Sequence, residues 1–230
     1  MPTILPGVLL KINGAMPTKA IIFDFDGVIL DSVDVKTRAF ESIYLPYGQE
    51  IAAEVVAHHE AHGGVSRYQK FRLYHQKYLG LDINEEQLDD LCTRFNQLVF
   101  QKVIASPYIS GARNFIEEAF KRFELFICTG TPQTEIEEIL EALSLTNYFK
   151  GVYGSPDNKI QIVQHIQKGY QLQSDELIFF GEINFEEEAV ELLKKYLPKF
   201  SLGSNPEEIN CELYVKKHQF QSLFSALICE

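Results

Sequence analysis

Asp24 and Asp26 stand one residue apart in the stretch Asp24-Phe25-Asp26-Gly27-Val28-Ile29-Leu30-Asp31-Ser32. Two carboxylates at this spacing can divide a reaction between them, one attacking as a nucleophile while its neighbour handles a proton. Like charges so close repel. Keeping both ionised usually takes a cation, and carboxylate oxygens suit Mg2+. Read as an isolated fragment, the stretch is equally an acidic turn, since Asp and Gly are common turn residues. Three later segments offer complementary chemistry. Thr129-Gly130-Thr131-Pro132 presents hydroxyls and a glycine ahead of a helix start, a favourable place for an anion. Gly154-Ser155-Pro156-Asp157-Asn158-Lys159 delivers a lysine, whose compact ammonium can hold two anionic groups together. Gly181-Glu182-Ile183-Asn184-Phe185-Glu186 brings two further acids.

Each of these segments follows an apolar run. Lys19 to Phe23, Leu125 to Cys128, Val152-Tyr153 and Leu177 to Phe180 read as strands, and the longer runs as strands buried on both faces. Helical patterns alternate with them: Ala112, Phe115, Ile116, Ala119 and Phe120; then Ile136, Ile139, Leu140 and Leu143; then Ile160, Val163 and Ile166. A helix around Glu187 to Leu197, an apolar segment at Phe200 to Leu202, a strand over Cys211 to Val215 and a helix over Phe220 to Ile228 extend the pattern. The repeat predicts an α/β fold, a doubly wound (Rossmann-like) parallel sheet, whose ligands bind at the carboxyl ends of the strands.

Residues 32–105 break the alternation. They carry no convincing buried strand, only helical spacings: Val35, Ala39, Phe40 and Ile43; then Val55 and Val56; then Phe71, Tyr74, His75 and Tyr78. Asn84 with Gln87 makes a capping box ahead of an apolar stripe from Leu88 to Val99. This predicts an inserted all-α cap over 32–105, with the α/β core formed by 16–31 and 106–230. Residues 1–15 are expected to be a poorly ordered extension: Pro6 and Gly7 break their apolar run, and they lack the charged start of a signal peptide.

The 230 residues suffice for one domain with a modest insertion. A net charge of -11 argues against a nucleic-acid or anionic-membrane surface. No stretch is long and apolar enough for a membrane span. Four scattered cysteines without a C-x-x-C pair suit a reducing cytoplasm.

Taken together, the four segments resemble the motifs of the haloacid dehalogenase superfamily, most closely the phosphoglycolate phosphatase and β-phosphoglucomutase subfamily with a helical cap. The resemblance covers Lys19 to about Leu202. It implies that Asp24 is the nucleophile and forms an aspartyl-phosphate, and that Asp26 protonates the leaving alcohol and then activates water. Thr129, with Gly130 and Thr131, would bind the phosphoryl oxygens, and Lys159 would pair with Asp24 and the phosphate. Mg2+ would be held by the Asp24 carboxylate, the Asp26 carbonyl, Glu182 and Glu186. The family places Asp where this chain has Glu182 and Glu186, so each of these side chains is one methylene longer. Asp26 must be protonated at the moment of attack, and its acidic neighbours are expected to raise its pKa.

Gly63-Gly64-Val65-Ser66-Arg67-Tyr68-Gln69-Lys70 joins glycines to a cationic, aromatic segment on an acidic protein. It reads as a specificity loop, with Arg67 and Lys70 facing the substrate's leaving group, or alternatively as a helix turn with a solvated basic face. His58 and His62 stand four apart, but His59-Glu60-Ala61-His62 is one residue short of a zinc-protease pattern, so a structural cluster is expected. The resulting expectation is a Mg2+-dependent phosphohydrolase, monomeric or homodimeric, acting on a small phosphorylated metabolite. A β-phosphoglucomutase-type phosphomutase and a catalytically weak binding protein are the alternatives, the second motivated by Glu182 and Glu186.

Overall fold

The structure is a computed structural model and describes residues 18–63 and 65–181. Four strands, β1 (Ala20–Phe23), β2 (Glu124–Pro132), β3 (Gly151–Ser155) and β4 (Leu177–Phe180), form one parallel sheet in the order β3-β2-β1-β4. Ile21 pairs with Leu125 on one side and Ile178 on the other, so β1 lies inside the sheet. The chain winds outward from β1 through β2 to β3, then returns to β1's other edge as β4. That reversal is a topological switch point, and Asp24 follows β1 at that point.

Successive side chains of a strand point to opposite faces, and the packing follows this period. Ile21, Phe23, Leu125, Ile127, Ile178 and Phe180 join one cluster with α5 (Ala112–Ala119) and α6 (Gln133–Ala142). Ala20, Ile22, Phe126, Cys128, Leu177 and Phe179 join the other with α7 (Lys159–Tyr170). Both sheet faces are therefore covered, which is why these strands read as unbroken apolar runs. Phe120 departs from the sequence expectation: α5 ends at Ala119 and the Phe120 ring is half exposed, against Tyr148.

Between β1 and α5 lie four helices, α1 (Val33–Tyr44), α2 (Gln49–Ala61), α3 (Arg67–Tyr74) and α4 (Glu85–Ile104). Their shared core centres on Phe40 of α1, whose ring centre lies 4.5 Å from that of Phe95, 5.3 Å from Phe71 and 4.8 Å from His59. The Asn84–Gln87 capping box starts α4 as its sequence indicates. The third helix is not continuous to Leu79: it widens into a π-turn over His75–Leu79 and stops at Gly80, in the left-handed conformation. His75 Nδ1 there meets the Tyr44 hydroxyl at 2.7 Å and the Phe71 carbonyl at 3.0 Å. The two crossings of the chain into and out of this helical segment pair with each other. Asp31 N donates to the Pro107 carbonyl, and Ile109 N to the Ile29 carbonyl, both at 2.9 Å. The expected extension at 1–15 and the elements expected after Glu182 lie outside the described residues.

Candidate active site

Asp24 is the first residue past β1, and its N–H donates to the Phe180 carbonyl at 2.7 Å, which fixes it between β1 and β4. Its Oδ1 accepts from Phe25 N at 2.7 Å and its Oδ2 from Lys159 Nζ at 2.5 Å. Asp24 and Lys159 are both almost fully buried. Burial raises the Asp24 pKa above the ordinary carboxylate value; Lys159 opposes this, and Asp26 adds to it. Lys159 reaches Asp24 because Asn158 caps α7 through a capping box with Gln161, so Lys159 opens the helix at the end of the sheet.

The loop after Asp24 is tight. The Phe25 carbonyl accepts from the N–H groups of Val28, Ile29 and Leu30, and Gly27 sits at φ +75° with Val33 against the position a Cβ would take. Only glycine adopts that backbone at little cost. The turn aims Asp26 at three donors: Ser32 Oγ at 2.7 Å, Thr131 Oγ1 at 3.3 Å and the Lys36 ammonium. Lys36 Nζ also donates to Thr131 Oγ1 at 2.8 Å.

This arrangement corrects the expected protonation of Asp26. Burial does push its pKa up, but the Lys36 charge and hydrogen bond, with Ser32 and Thr131, outweigh it and hold the carboxyl below its ordinary value. Within the acid pair, the raised group is Asp24. The sequence expectation weighed only the neighbouring acids and missed Lys36, which stands ten positions after Asp26 in the first turn of α1. Its one visible signal is position: a cation in the first helical turn after the acidic loop.

One cavity of about 90 Å3 joins the groups singled out in the sequence. Asp24, Asp26, Thr129, Gly130 and Thr131 line its floor, and Lys36, Phe40, His59, Arg67, Lys70 and Phe95 its walls. Thr129 Oγ1 accepts from Thr131 N at 3.2 Å, within the end of β2 where its register with β3 shifts between Cys128 and Pro132. Lys159 contacts the cavity through Asp24 and is not among its lining residues.

Arg67 and Lys70 are buried, not solvated. Arg67 Nη2 donates to Glu135 Oε1 at 2.6 Å, so its charge is already matched. Lys70 Nζ lies 2.7 Å from His59 Nδ1, with the Phe40 ring centre 5.7 Å away. Burial, then Lys36, lowers the Lys70 pKa to about 7. Burial and the Lys70 charge lower that of His59 to about 3, so the imidazole is neutral. His58 and His62 stack outside the cavity with ring centres 3.9 Å apart. Among the described residues no group of three or more His, Cys, Asp or Glu side chains could hold a metal ion.

Glu182 and Glu186 lie outside the described residues, so the metal test rests on Asp24, Asp26 and their surroundings. The donors there are oxygens, as a hard divalent cation requires. A cation beside the buried Asp24 would also offset the desolvation that raises its pKa. Gly181 packs tightly against the site: a Cβ on it would meet Phe179 Cε1 at 2.5 Å and Asp24 Cβ at 3.0 Å. Its lack of a side chain lets the backbone at Gly181 lie directly against Asp24. Asp24 and Asp26 supply oxygen donors of the kind that Mg2+ takes.

Residues 21–191 match the haloacid dehalogenase-like hydrolase family. The chain belongs to that family. It is 26% identical over 156 residues to a phosphorylated carbohydrates phosphatase of Thermotoga maritima, covering 63% of this chain and 68% of that protein. In fold it is similar to a β-phosphoglucomutase from Clostridium difficile, with a TM-score of 0.64, 18% identity, and 94% and 100% of the two chains covered. A haloacid dehalogenase-like family hydrolase from Streptococcus pneumoniae aligns with a TM-score of 0.59 at 16% identity, over 90% and 98%. Among the described residues no helix is long and apolar enough to cross a membrane.

Proposed function

We propose that this haloacid dehalogenase-like hydrolase is a Mg2+-dependent phosphatase of small phosphorylated metabolites. The observation that carries the reading is the convergence of Asp24–Lys159 and Asp26–Lys36–Thr131 on one cavity at the sheet's switch point. Its phosphorylated-carbohydrate phosphatase relative supports the substrate class.

In this reading Asp24 Oδ1 or Oδ2 attacks phosphorus and the P–O bond to the alcohol breaks, leaving an aspartyl-phosphate. The Thr129 hydroxyl and the loop N–H groups bind the equatorial oxygens, where charge gathers as the bond breaks. Lys159 holds the Asp24 carboxylate and the phosphoryl group together. The proton for the leaving oxygen is delivered through Asp26 and the Lys36 ammonium hydrogen-bonded to it. In the second half the same pair accepts a proton from the attacking water, releases phosphate and restores itself. Mg2+ would be held by the Asp24 carboxylate, the Asp26 carbonyl, Glu182 and Glu186, and would neutralise phosphoryl charge. Lys70 faces the leaving group from the cavity wall, and Arg67 completes that wall.

The helical segment 32–105 acts as a cap on the core of 16–31 and 106–230. The enzyme works in the cytoplasm as a monomer or homodimer, a setting that suits the free thiols of Cys92 and Cys128. The test is phosphate release from a panel of phosphomonoesters with and without Mg2+, with the Asp24→Asn variant as blank. Mg2+-dependent release that vanishes in the blank supports the reading; no such release from any member overturns it.

A further inference from the structure

Glu135 belongs to none of the segments that drew attention in the sequence. It lies in the first turn of α6, three residues after Pro132, and is only 3% exposed. Both of its carboxylate oxygens are taken by side chains of the helical segment. Oε1 accepts from Arg67 of α3 and Oε2 from Asn96 of α4, each at 2.6 Å. The Arg67 guanidinium carbon lies 4.5 Å from the ring centre of Phe95, the neighbour of Asn96. One core carboxylate thus gathers two helices of the insertion.

The same turn of α6 is anchored to the site. Gln133, two residues before Glu135, donates from Nε2 to the Val152 carbonyl at 2.9 Å and accepts from Gly154 N at 2.6 Å, which ties α6 to β3. Thr131, two residues further back, bonds Asp26 and Lys36. So Glu135 rides on the segment that carries the phosphoryl-binding hydroxyls, and a shift at its carboxylate is felt a few residues away.

Arg67 also separates two hollows. On one side is the cavity over Asp24. On the other is an open polar cleft lined by Arg67, Asn96, Thr134 and Glu135. The bridge between Arg67 and Glu135 is the partition. A buried carboxylate with a charged partner on one oxygen and an amide on the other is costly to break on one side only, so the joint holds one geometry or opens.

We propose that Glu135 is the positioning residue that docks the cap onto the core, setting Lys70, His59 and Phe95 over the catalytic carboxylates through Arg67 and Asn96. The inference rests on the phosphatase reading of the inner cavity, and it makes Arg67 a docking group with its charge held by Glu135.

The test is hydrogen exchange of the intact chain together with steady-state kinetics. The Glu135→Gln variant keeps the shape and the contact to Asn96 but removes the charge that holds Arg67. Amide exchange over α3 and α4 should quicken about ten-fold while the sheet stays protected, and kcat/KM should fall about ten-fold, mainly through KM. Glu135→Asp, with the charge kept on a shorter arm, should recover part of both. Unchanged exchange in α3 and α4 would overturn the docking role. Exchange that quickens equally in the sheet would overturn it as well, reducing Glu135 to a general stabiliser. Local loosening with unchanged kcat/KM in an active enzyme would remove its catalytic relevance. Should wild-type protein release phosphate from no ester while the local loosening is still seen, the phosphatase reading fails and the docking stands.

Discussion

Lys36 and Asp26 form an ion pair across the junction where the chain leaves the sheet and enters the first helix of the insertion. The pair has two consequences. It makes the second carboxylate of the site a low-pKa group, against the tendency of its burial. It also fastens α1 to Thr131, so the insertion's first helix and the end of β2 share a cation.

Removing the cation by Lys36→Met should therefore reverse the protonation of Asp26. With burial unopposed by Lys36, its pKa rises and the carboxylate needed to take a proton from water exists only at higher pH. The acid limb of the kcat–pH profile should move to higher pH, and the rate at neutral pH should drop about 100-fold, the usual scale of a lost acid–base group. A pH–rate series on both proteins checks this; coincident acid limbs would remove Lys36 from control of Asp26.

Asp24→Asn should keep the fold and lose turnover. The amide preserves shape, but its single oxygen can accept from Phe25 N or from Lys159 and not from both, and it does not displace an alcohol from phosphorus. A loss on the order of 10^4-fold or more is expected. Acid-quenched protein should carry covalent phosphate in the wild type during turnover and none in the variant, and circular dichroism should show the two folded alike.

Lys70 links protonation to stability. Its pKa is about 7 in the fold against 10.5 as the ordinary value. Below pH 7 the folded protein carries a buried ammonium, as does the exposed lysine of the unfolded chain, and the burial cost is fully present. Between pH 7 and 10.5 the unfolded chain binds the proton and the fold does not, so stability rises with pH. Lys70→Met should remove this rise and be more stable at pH 7 and below, by about 2–4 kcal/mol. Denaturant midpoints at pH 6, 7, 8 and 9 read it, and parallel slopes for both proteins would contradict it.

What the sequence made legible and what it hid follow from the range of the interactions. The strands showed because burial on both faces leaves unbroken apolar runs, as at Ile21-Ile22-Phe23 and Leu125 to Cys128. The α4 capping box showed because Asn84 and Gln87 are three residues apart. Asp24 and Lys159 showed because each follows a strand, and Thr129 because the apolar run of β2 stops just before it. The Lys36–Asp26 pair depends on how α1 is rotated after Ser32, and the Arg67–Glu135 bridge spans 68 positions. Such pairings are set by how the insertion docks, which no local pattern records. The burial of Lys70 beside His59 is hidden for the same reason: a basic residue in a basic segment reads as solvated until its helix is packed.

Gly154 tests how tightly that packing constrains the site. A Cβ there would meet the Thr131 carbonyl oxygen at 2.4 Å and Gln133 N at 2.9 Å, all backbone atoms that no rotamer change can move aside. Gly154→Ala must therefore push β3 away from the Thr129–Pro132 segment, at a cost of about 1–3 kcal/mol. It would also strain the bond from Gly154 N to Gln133 Oε1. Because the displaced end of β2 carries Thr129 and Thr131, kcat should fall about ten-fold or more even where the variant is fully folded, since small misplacements of a binding group are costly. Thermal unfolding and turnover measured on the same preparation separate the two effects. A variant with lowered melting temperature and unaltered kcat would show that this segment adjusts without β3.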